Sequence, residues 1–370
     1  MTAARTAAPR QDRENSMNPD ATRPLHDATR TPRPARRLGR LALPASVAVT
    51  VGLVASACST PVPRPTPEAT VTQPALSLDQ DTAILGKVSD VLTVADKKRD
   101  SKALSQRLSG PALAMRTAEL KVAKSAKSDD DVTALPTKVQ TVVVPTSTTW
   151  PRAAFAVSAQ PSDTEPPRLM AFKQSAARDN YVLWGWARLF PGITMPTFAA
   201  PGTGSAPVTP DDSSLVLTPK SAVAHYVDVL NKGTKSKYAK AFSEDAFRSR
   251  LASRATDLDK KKDFKSAKGK YSETFTAAKS DPVATRTADG GALVMVDASA
   301  VEKTSAESKA KIAPSTDVTK ALFGDTKPTN TLVVTYRDVF ALYVPAAGAS
   351  DAKVTVLGVE HVPVKVATHS

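Results

Sequence analysis

The chain has 370 residues, with 50 Lys and Arg against 36 Asp and Glu, 29 Pro and a single Cys, and its net charge is +14. One thiol cannot form an internal disulfide, and His225, His361 and His369 are too scattered to form a ligand cluster with it. A disulfide scaffold and a Cys/His zinc site are therefore excluded, and no metal or cofactor is expected. The length allows two domains of roughly 100–200 residues plus tails.

An Arg-rich segment and an apolar run occupy the N-terminal part of the chain. Residues 1–29 hold little apolar surface, which predicts a disordered extension. Residues 30–57 are typical of a secretory signal peptide, because five Arg precede the apolar run LALPASVAVTVGLVASA at 41–57. A retained transmembrane helix is the alternative, but this run contains Pro44 and is shorter than the ~20 residues needed to span a bilayer.

The only Cys of the chain, Cys58, directly follows the predicted cleavage site. Its surroundings resemble the lipobox of bacterial lipoproteins, in which the thiol is joined to diacylglycerol and the signal is removed. Two acyl chains anchor a protein on a bilayer far more firmly than one. Residues 58–76 are rich in Pro and Thr and predict an extended tether. The predicted location is therefore the outer face of the cell membrane.

Two folded units follow the tether, at 77–195 and 219–370, with a Pro/Gly/Thr/Ser-rich linker at 196–218. A gapless shift of about 138 residues superposes Asp90-Val91-Leu92 on Asp228-Val229-Leu230, and Lys102-Ala103 on Lys240-Ala241, in one register. The sequence therefore predicts two copies of one unit.

Each copy is predicted to begin with two helices. Ser77 with Gln80 fits a capping box, and Thr218 followed by Pro219 fits a helix start. Second helices are predicted at 111–126 and at 244–262, the latter with Ser243 as its N-cap.

Strand patterns follow the helices in both copies. The first copy has them at 139–144, 153–158, 169–174 and 181–190, and the second at 271–277, 292–298, 332–344 and 353–366. Helices followed by antiparallel strands predict an α+β fold, in which each copy packs its helices on a curved sheet. This arrangement is similar to the NTF2-like, or cystatin-like, folds.

The whole layout resembles an uncharacterised lipoprotein family of actinobacteria. The resemblance rests on the Arg-rich leader, the lipobox Cys, the Pro/Thr tether and the closing strands YVLWGWARLF and VTVLGVEHVPV. It implies an exported, lipid-anchored protein with paired domains, and it transfers no active site. The segment 301–330 has no counterpart in the first copy.

Two weak pocket candidates stand out. Trp184 and Trp186 are two apart on a predicted strand and are expected on one face, either as a ligand platform or as core residues. His225 and Asp228 lie three apart on a predicted helix and are expected either to share a proton in a pocket or to form a boundary pair. Glu360 and His361 are expected to face solvent.

Positive charge is concentrated in one stretch, because residues 232–270 carry 13 Lys and Arg against five acids. Outside the membrane, such a patch faces anionic lipids or acidic envelope polymers, and export argues against nucleic acid. A merely solvated helix face is the alternative. The candidate residues are Lys260, Lys261, Lys262, Lys265, Lys268 and Lys270.

No catalytic motif is recognisable in the sequence, which favours a non-enzymatic module that binds an envelope protein, a glycan or an anionic polymer. The alternative function is a small-molecule-binding or hydrolytic NTF2-like domain with a pocket in one copy.

Overall fold

The computed structural model describes residues 72–350 and 352–368. The predicted extension, the signal peptide, Cys58 and most of the tether therefore lie outside the described residues. All described residues belong to one unit, which spans Pro67–Ser370.

The helices begin largely where the sequence places them. Ser77 and Gln80 form the predicted capping box, and the Thr218 hydroxyl accepts from the Ser221 amide at the start of the third helix. Arg99 ends the first helix in a left-handed conformation. The helices are α1 (Leu78–Lys98), α2 (Gly110–Ala126), α3 (Pro219–Lys232), α4 (Ala246–Lys260), α5 (Lys262–Ser266) and α6 (Asp317–Phe323).

The predicted N-cap of α4 is wrong. Asp245 caps this helix, because its carboxylate accepts from the Arg248 amide at 2.9 Å and its backbone is extended. Ser243 instead donates its backbone amide to the carbonyl of Val354. Two further elements were not predicted from the sequence. Helix α6 lies in the segment 301–330, which has no counterpart in the first half, and a four-residue strand at 283–286 precedes the turn at 289–291.

The strands form one mixed-length antiparallel sheet of nine strands rather than two separate sheets. Along the sheet, the order is β1-β2-β3-β4-β9-β8-β7-β5, and β6 also pairs with β7. The strands are β1 (Val139–Val143), β2 (Arg152–Ser158), β3 (Arg168–Gln174), β4 (Val182–Leu189), β5 (Lys270–Ala277), β6 (Val283–Arg286), β7 (Ala292–Ser305), β8 (Thr331–Val344) and β9 (Thr355–Ala367).

The α+β class is confirmed, but the two halves of the chain share their sheet. They meet where β4 pairs with β9 at two positions, Arg188 opposite Val359 and Leu189 opposite Gly358. A Cβ atom on Gly358 would clash with the backbone carbonyl of Arg188, so the close approach of these strands requires glycine. We call this junction the seam.

The hydrophobic cores also combine residues from both halves. The first core contains Trp186 and Phe155 together with Val339 and Leu293 from the second half. The second core contains Ala118 and Val122 of α2 alongside Tyr226, Phe247 and Phe340. Burial of apolar side chains from both halves in shared cores therefore holds the halves together, in addition to the two residue pairs of the seam.

Candidate functional site

A cavity of about 550 Å³ opens beside the seam, where the pairing between β4 and β9 stops. We call it the seam cleft. Beyond Val359, strand β9 still pairs with β8 on one side, and its residues line the cleft. Lining residues come from both halves. The charged and histidine members are Glu119, Asp130, Asp131, Glu165, Arg168, Arg188, Arg254, Glu302, Glu360 and His361.

One wall of the seam cleft belongs to a hydrogen-bonded chain of charged groups and tyrosines, which continues beyond the lining to Tyr271 and Glu273. Arg254 of α4 donates to Glu302 of β7 at 2.7 Å and to the Tyr271 hydroxyl at 3.2 Å. Tyr271 in turn donates to Glu273 at 2.9 Å, and Tyr336 donates to Glu302 at 3.3 Å. Burial raises the pKa of Tyr271 and of Tyr336, so both phenols stay protonated as donors.

His361 lies at the centre of this wall, and the prediction that it faces solvent is wrong. Its Nδ1 is 2.5 Å from Oδ1 of Asp338, and its Nε2 is 3.7 Å from Oε1 of Glu273. The ring stacks on Tyr336 with 3.9 Å between centroids, and the edge of Phe247 closes the other side. Only 11% of the side chain is exposed. The imidazole is thus clamped between two carboxyl groups.

Glu360 is also buried, which contradicts the expected solvent exposure. Its side chain is 8% exposed, and Oε2 has no hydrogen-bond partner among the described residues. Burial raises its pKa to about 7, although the positive charges of Arg188 and Arg168 oppose this change. A neutral carboxyl group near pH 7 can donate a hydrogen bond. Nε of Arg168, 3.8 Å away, is likewise unpartnered within the described part of the chain.

The helical wall of the cleft is stabilised by a buried ion pair on α2. Arg116 donates to Glu119 at 2.9 Å and to the carbonyl of Thr133 at 2.9 Å. The Thr133 hydroxyl donates to the same carboxylate at 2.6 Å. Burial raises the pKa of Glu119, while Arg116 favours its ionised form. Both carboxylate oxygens of Glu119 are therefore engaged, whereas Nε of Arg116 has no hydrogen-bond partner within the described residues.

A second cavity, of about 370 Å³, lies beside the seam cleft and shares three residues with it, Arg188, Glu360 and His361. We call it the arginine cleft, because Arg188 of β4 and Arg250 of α4 both line it. Its remaining lining is apolar: Pro166, Leu189, Phe190, Pro191, Ala246, Phe247 and Val359.

The two tryptophans that the sequence singles out are both buried in the first core. Trp184 packs against Gly110 at the start of α2, and Trp186 lies 5.8 Å beneath the guanidinium of Arg116. Neither residue lines the seam cleft or the arginine cleft. Their placement favours the core interpretation over a ligand platform. Trp150, in contrast, is 39% exposed.

The structure gives His225 and Asp228 separate partners. The His225 ring stacks on Tyr238 with 3.6 Å between centroids. The Asp228 carboxylate accepts from Ser236 at 2.6 Å and pairs with Lys232 at 2.5 Å. Burial lowers the pKa of His225, and the nearby charge of Lys237 lowers it further. Neither residue lines the clefts at the seam.

The six candidate lysines of the basic stretch are all exposed. Lys260 pairs with Asp257 at 3.4 Å and Lys268 pairs with Glu307 at 3.8 Å, both at exposed positions where an ion pair contributes little. The lysines lie at the end of α4, in α5 and at the start of β5, and they form a charged surface outside the two clefts.

Sequence reasoning missed the groups that the structure brings together at the seam. Glu360 and His361 are adjacent on a strand, which favours a solvent-facing polar edge, whereas residues of β3, β4, β5, β8 and α4 surround them. Their only sequence signal is the interruption of an apolar strand, VLGVEHVPV, by two charged or titratable residues. Across residues 72–350 and 352–368, no group of three or more His, Cys, Asp or Glu is arranged to hold a metal ion.

Comparison with known proteins places this architecture in a family. No helix in the described residues has the length and apolar character needed to cross a membrane. No solved structure matches the fold. A protein of Streptomyces avermitilis named "Uncharacterized lipoprotein" is 28% identical over 327 residues, which cover 87% of this chain and 93% of that protein. The family model described as "Domain of unknown function (DUF8094)" matches residues 72–365. The chain therefore belongs to the DUF8094 family.

Proposed function

We propose that this protein is exported and held by lipid at the outer face of the cell membrane through Cys58. The observation that carries the proposal is the position of the only Cys, directly after an Arg-rich segment and an apolar run. The name of the Streptomyces relative supports the same location. Residues 58–76 then act as a Pro-rich spacer between the membrane and the folded unit.

The folded unit acts as a non-enzymatic binding module, with the seam as its binding region. The two cavities there share one buried carboxyl group, that of Glu360, whose Oε2 has no hydrogen-bond partner in the described residues. Unpartnered buried polar atoms are costly, and a polar ligand that pairs with them offsets that cost. The partner classes consistent with an extracellular location are an envelope protein, a glycan or an anionic polymer.

A tandem NTF2-like origin is the finer proposal for the fold. Each half begins with helices that precede its antiparallel strands, and the first helix of each is capped at the predicted residue. The shared sheet and the mixed cores then represent two copies that have merged.

Anchoring is tested by comparing the native chain with a C58S variant in the source cell. The mature native protein should begin at Cys58, carry the mass of a diacylglyceryl group and sediment with membranes. The C58S variant should lose the lipid mass and leave the membrane fraction. A C58S variant that stays fully membrane-bound, or a native Cys58 with a free thiol, would contradict the proposal.

The exposed lysine surface is proposed as a secondary contact with anionic lipid headgroups or acidic polymers. A K260E/K261E/K262E variant of the full chain with C58S should bind anionic vesicles more weakly at low salt than its parent. The matched control K97E/K98E/K102E makes the same change of charge at other exposed lysines. Equal binding by both triple variants would remove the role of this surface.

A small-molecule-binding or hydrolytic pocket is the second candidate, and the buried His361–Asp338 pair favours it. A histidine fixed by a carboxylate is a common general base, and His361 lines both clefts. Turnover of chromogenic esters or glycosides that is lost in H361Q but kept in H225Q would support this reading. Absence of turnover in the native protein favours the binding module.

A further inference from the structure

The arginine cleft contains two exposed cationic side chains. Arg188 and Arg250 both line it, and neither makes a hydrogen bond or an ion pair with another residue in the described ranges. The guanidinium of Arg250 lies 5.0 Å from the ring centroid of Phe247, which holds it against the cleft wall. Two arginines directed to one cavity are suited to a carboxylate or a phosphate group.

A buried group provides a second, independent indication of a ligand. Glu360 lines the same cavity, its side chain is 92% buried, and Oε2 has no hydrogen-bond partner in the part of the chain that the structure describes, with Nε of Arg168 3.8 Å away. When protonated, this carboxyl group donates a hydrogen bond to an anion. When ionised, it repels one. The cavity therefore combines two permanent cations with two titratable groups, Glu360 and His361.

The rest of the cavity is apolar and fits a ligand that is more than an inorganic ion. Leu189, Phe190 and Phe247 form its walls together with Pro166 and Pro191. A volume of about 370 Å³ lies within the range of small-molecule sites. A free phosphate would leave most of this apolar surface in contact with water, whereas an anion attached to a hydrocarbon body would cover it.

We propose that the arginine cleft binds a small amphiphilic anion, with its carboxylate or phosphate group held by Arg188 and Arg250 and its apolar part placed against Leu189, Phe190 and Phe247. The proposal deepens the binding role proposed above and rests on it. It assigns the ligand class to the arginine cleft alone.

Binding of such an anion depends on pH through Glu360. Its pKa of about 7 means that the carboxyl group loses its proton between pH 6 and 8 and then adds a negative charge beside the bound anion. The affinity should therefore fall as pH rises through 7. The groups that face Glu360 are Arg168, Arg188 and Trp186 from β3 and β4, Glu119 from α2, Arg250 from α4 and His361 beside it on β9.

The test uses the full-length protein in detergent and four probes: octanoate, octyl phosphate, octanol and inorganic phosphate. Calorimetric titration should show saturable binding of octanoate or octyl phosphate, and at least tenfold weaker binding of octanol and of inorganic phosphate. Each of R188Q and R250Q should lower the affinity for the alkyl anions about tenfold or more. R178Q, at an exposed arginine of the β3–β4 connection, is the matched control and should bind normally.

The E360Q variant separates a ligand contact from a structural effect. It should bind octanoate with an affinity that is nearly constant from pH 6 to 8, while the native affinity falls across that interval. Three results would overturn the proposal: no saturable binding of either alkyl anion, equal binding of octanol, or unchanged affinity in the R188Q/R250Q double variant. Inorganic phosphate that matches octyl phosphate would overturn the amphiphilic assignment.

A negative result for ligand binding in the arginine cleft is distinguishable from a negative result for the proposed membrane anchoring. The probes test the cleft in purified protein, whereas the C58S comparison tests anchoring in cells. An anchored protein whose cleft binds no alkyl anion would keep its envelope location and lose only this ligand class.

Discussion

Nδ1 of His361 lies 2.5 Å from Oδ1 of Asp338, and these residues are directly opposite each other on β9 and β8. Asp338 is completely buried, and burial raises the pKa of its carboxyl group while the contact with His361 opposes that rise. The pair therefore links two central strands through a short contact between an imidazole and a carboxyl group beside the clefts.

Weakening the contact between Asp338 and His361 should destabilise the fold. A D338N variant keeps the shape of the side chain but leaves the imidazole with a weaker partner in a buried site, so we expect a loss of about 3 kcal/mol in the free energy of unfolding. Urea unfolding at pH 7 measures it. D259N, at an exposed position on α4, is the control and should stay within about 0.5 kcal/mol of the native protein. Equal stability of both variants would show that the contact has no energetic role.

Glu360 should make the protein less stable as pH rises. Its pKa is raised from 4.5 to about 7 in the folded state, so the folded protein holds this proton more tightly than the unfolded chain. Its contribution to the free energy of unfolding therefore falls between pH 4.5 and 7 by about 3 kcal/mol and stays constant above that range.

An E360Q variant isolates this effect, because glutamine remains neutral throughout. Its stability relative to the native protein should increase from pH 4 to pH 8, measured by urea unfolding at each pH. The exposed E244Q substitution should show no such trend. A difference between E360Q and native protein that does not change with pH would contradict the raised pKa.

Gly358 should be essential for the seam. A G358A substitution places a methyl group against the backbone carbonyl of Arg188, which separates β4 from β9 or strains both, so we expect a loss of about 1–3 kcal/mol. Thermal and urea unfolding report it. G86A, in the exposed middle of α1 where a methyl group meets no atom, should instead stabilise by up to about 1 kcal/mol. A neutral G358A would mean that the seam adjusts freely.

Trp186 should behave as a core residue. A W186A variant leaves a large cavity in the first core, and we expect a loss of about 3–5 kcal/mol. W150A removes a 39% exposed indole that contacts the guanidinium of Arg152 at 4.1 Å and donates to Gln174 at 3.0 Å, so its cost should be about 1 kcal/mol or less. Comparable unfolding midpoints for the two variants would mean that Trp186 is not a principal core side chain.

Local patterns predicted the elements well, because their signals lie within a few residues. Ser77 and Gln80 cap α1 as expected, and the bounds of β3 and β8 differ from prediction by one residue. The cap of α4 was predicted two residues early, because Ser243 and Asp245 are both good N-caps and only the extended backbone at Asp245 distinguishes them. The strand β6 is too short to give a clear alternating pattern.

The sequence by itself determined the α+β class, the starts of α1 and α3 and the expectation of export, since these depend on composition and on neighbouring residues. Only the tertiary structure decided that both halves share one sheet and that Glu360 and His361 are buried. The physical reason is distance along the chain: Asp338, Glu273, Arg168 and Arg188 lie tens to nearly two hundred residues away. Strand alternation shows which residues share a face but cannot show which face another element will cover.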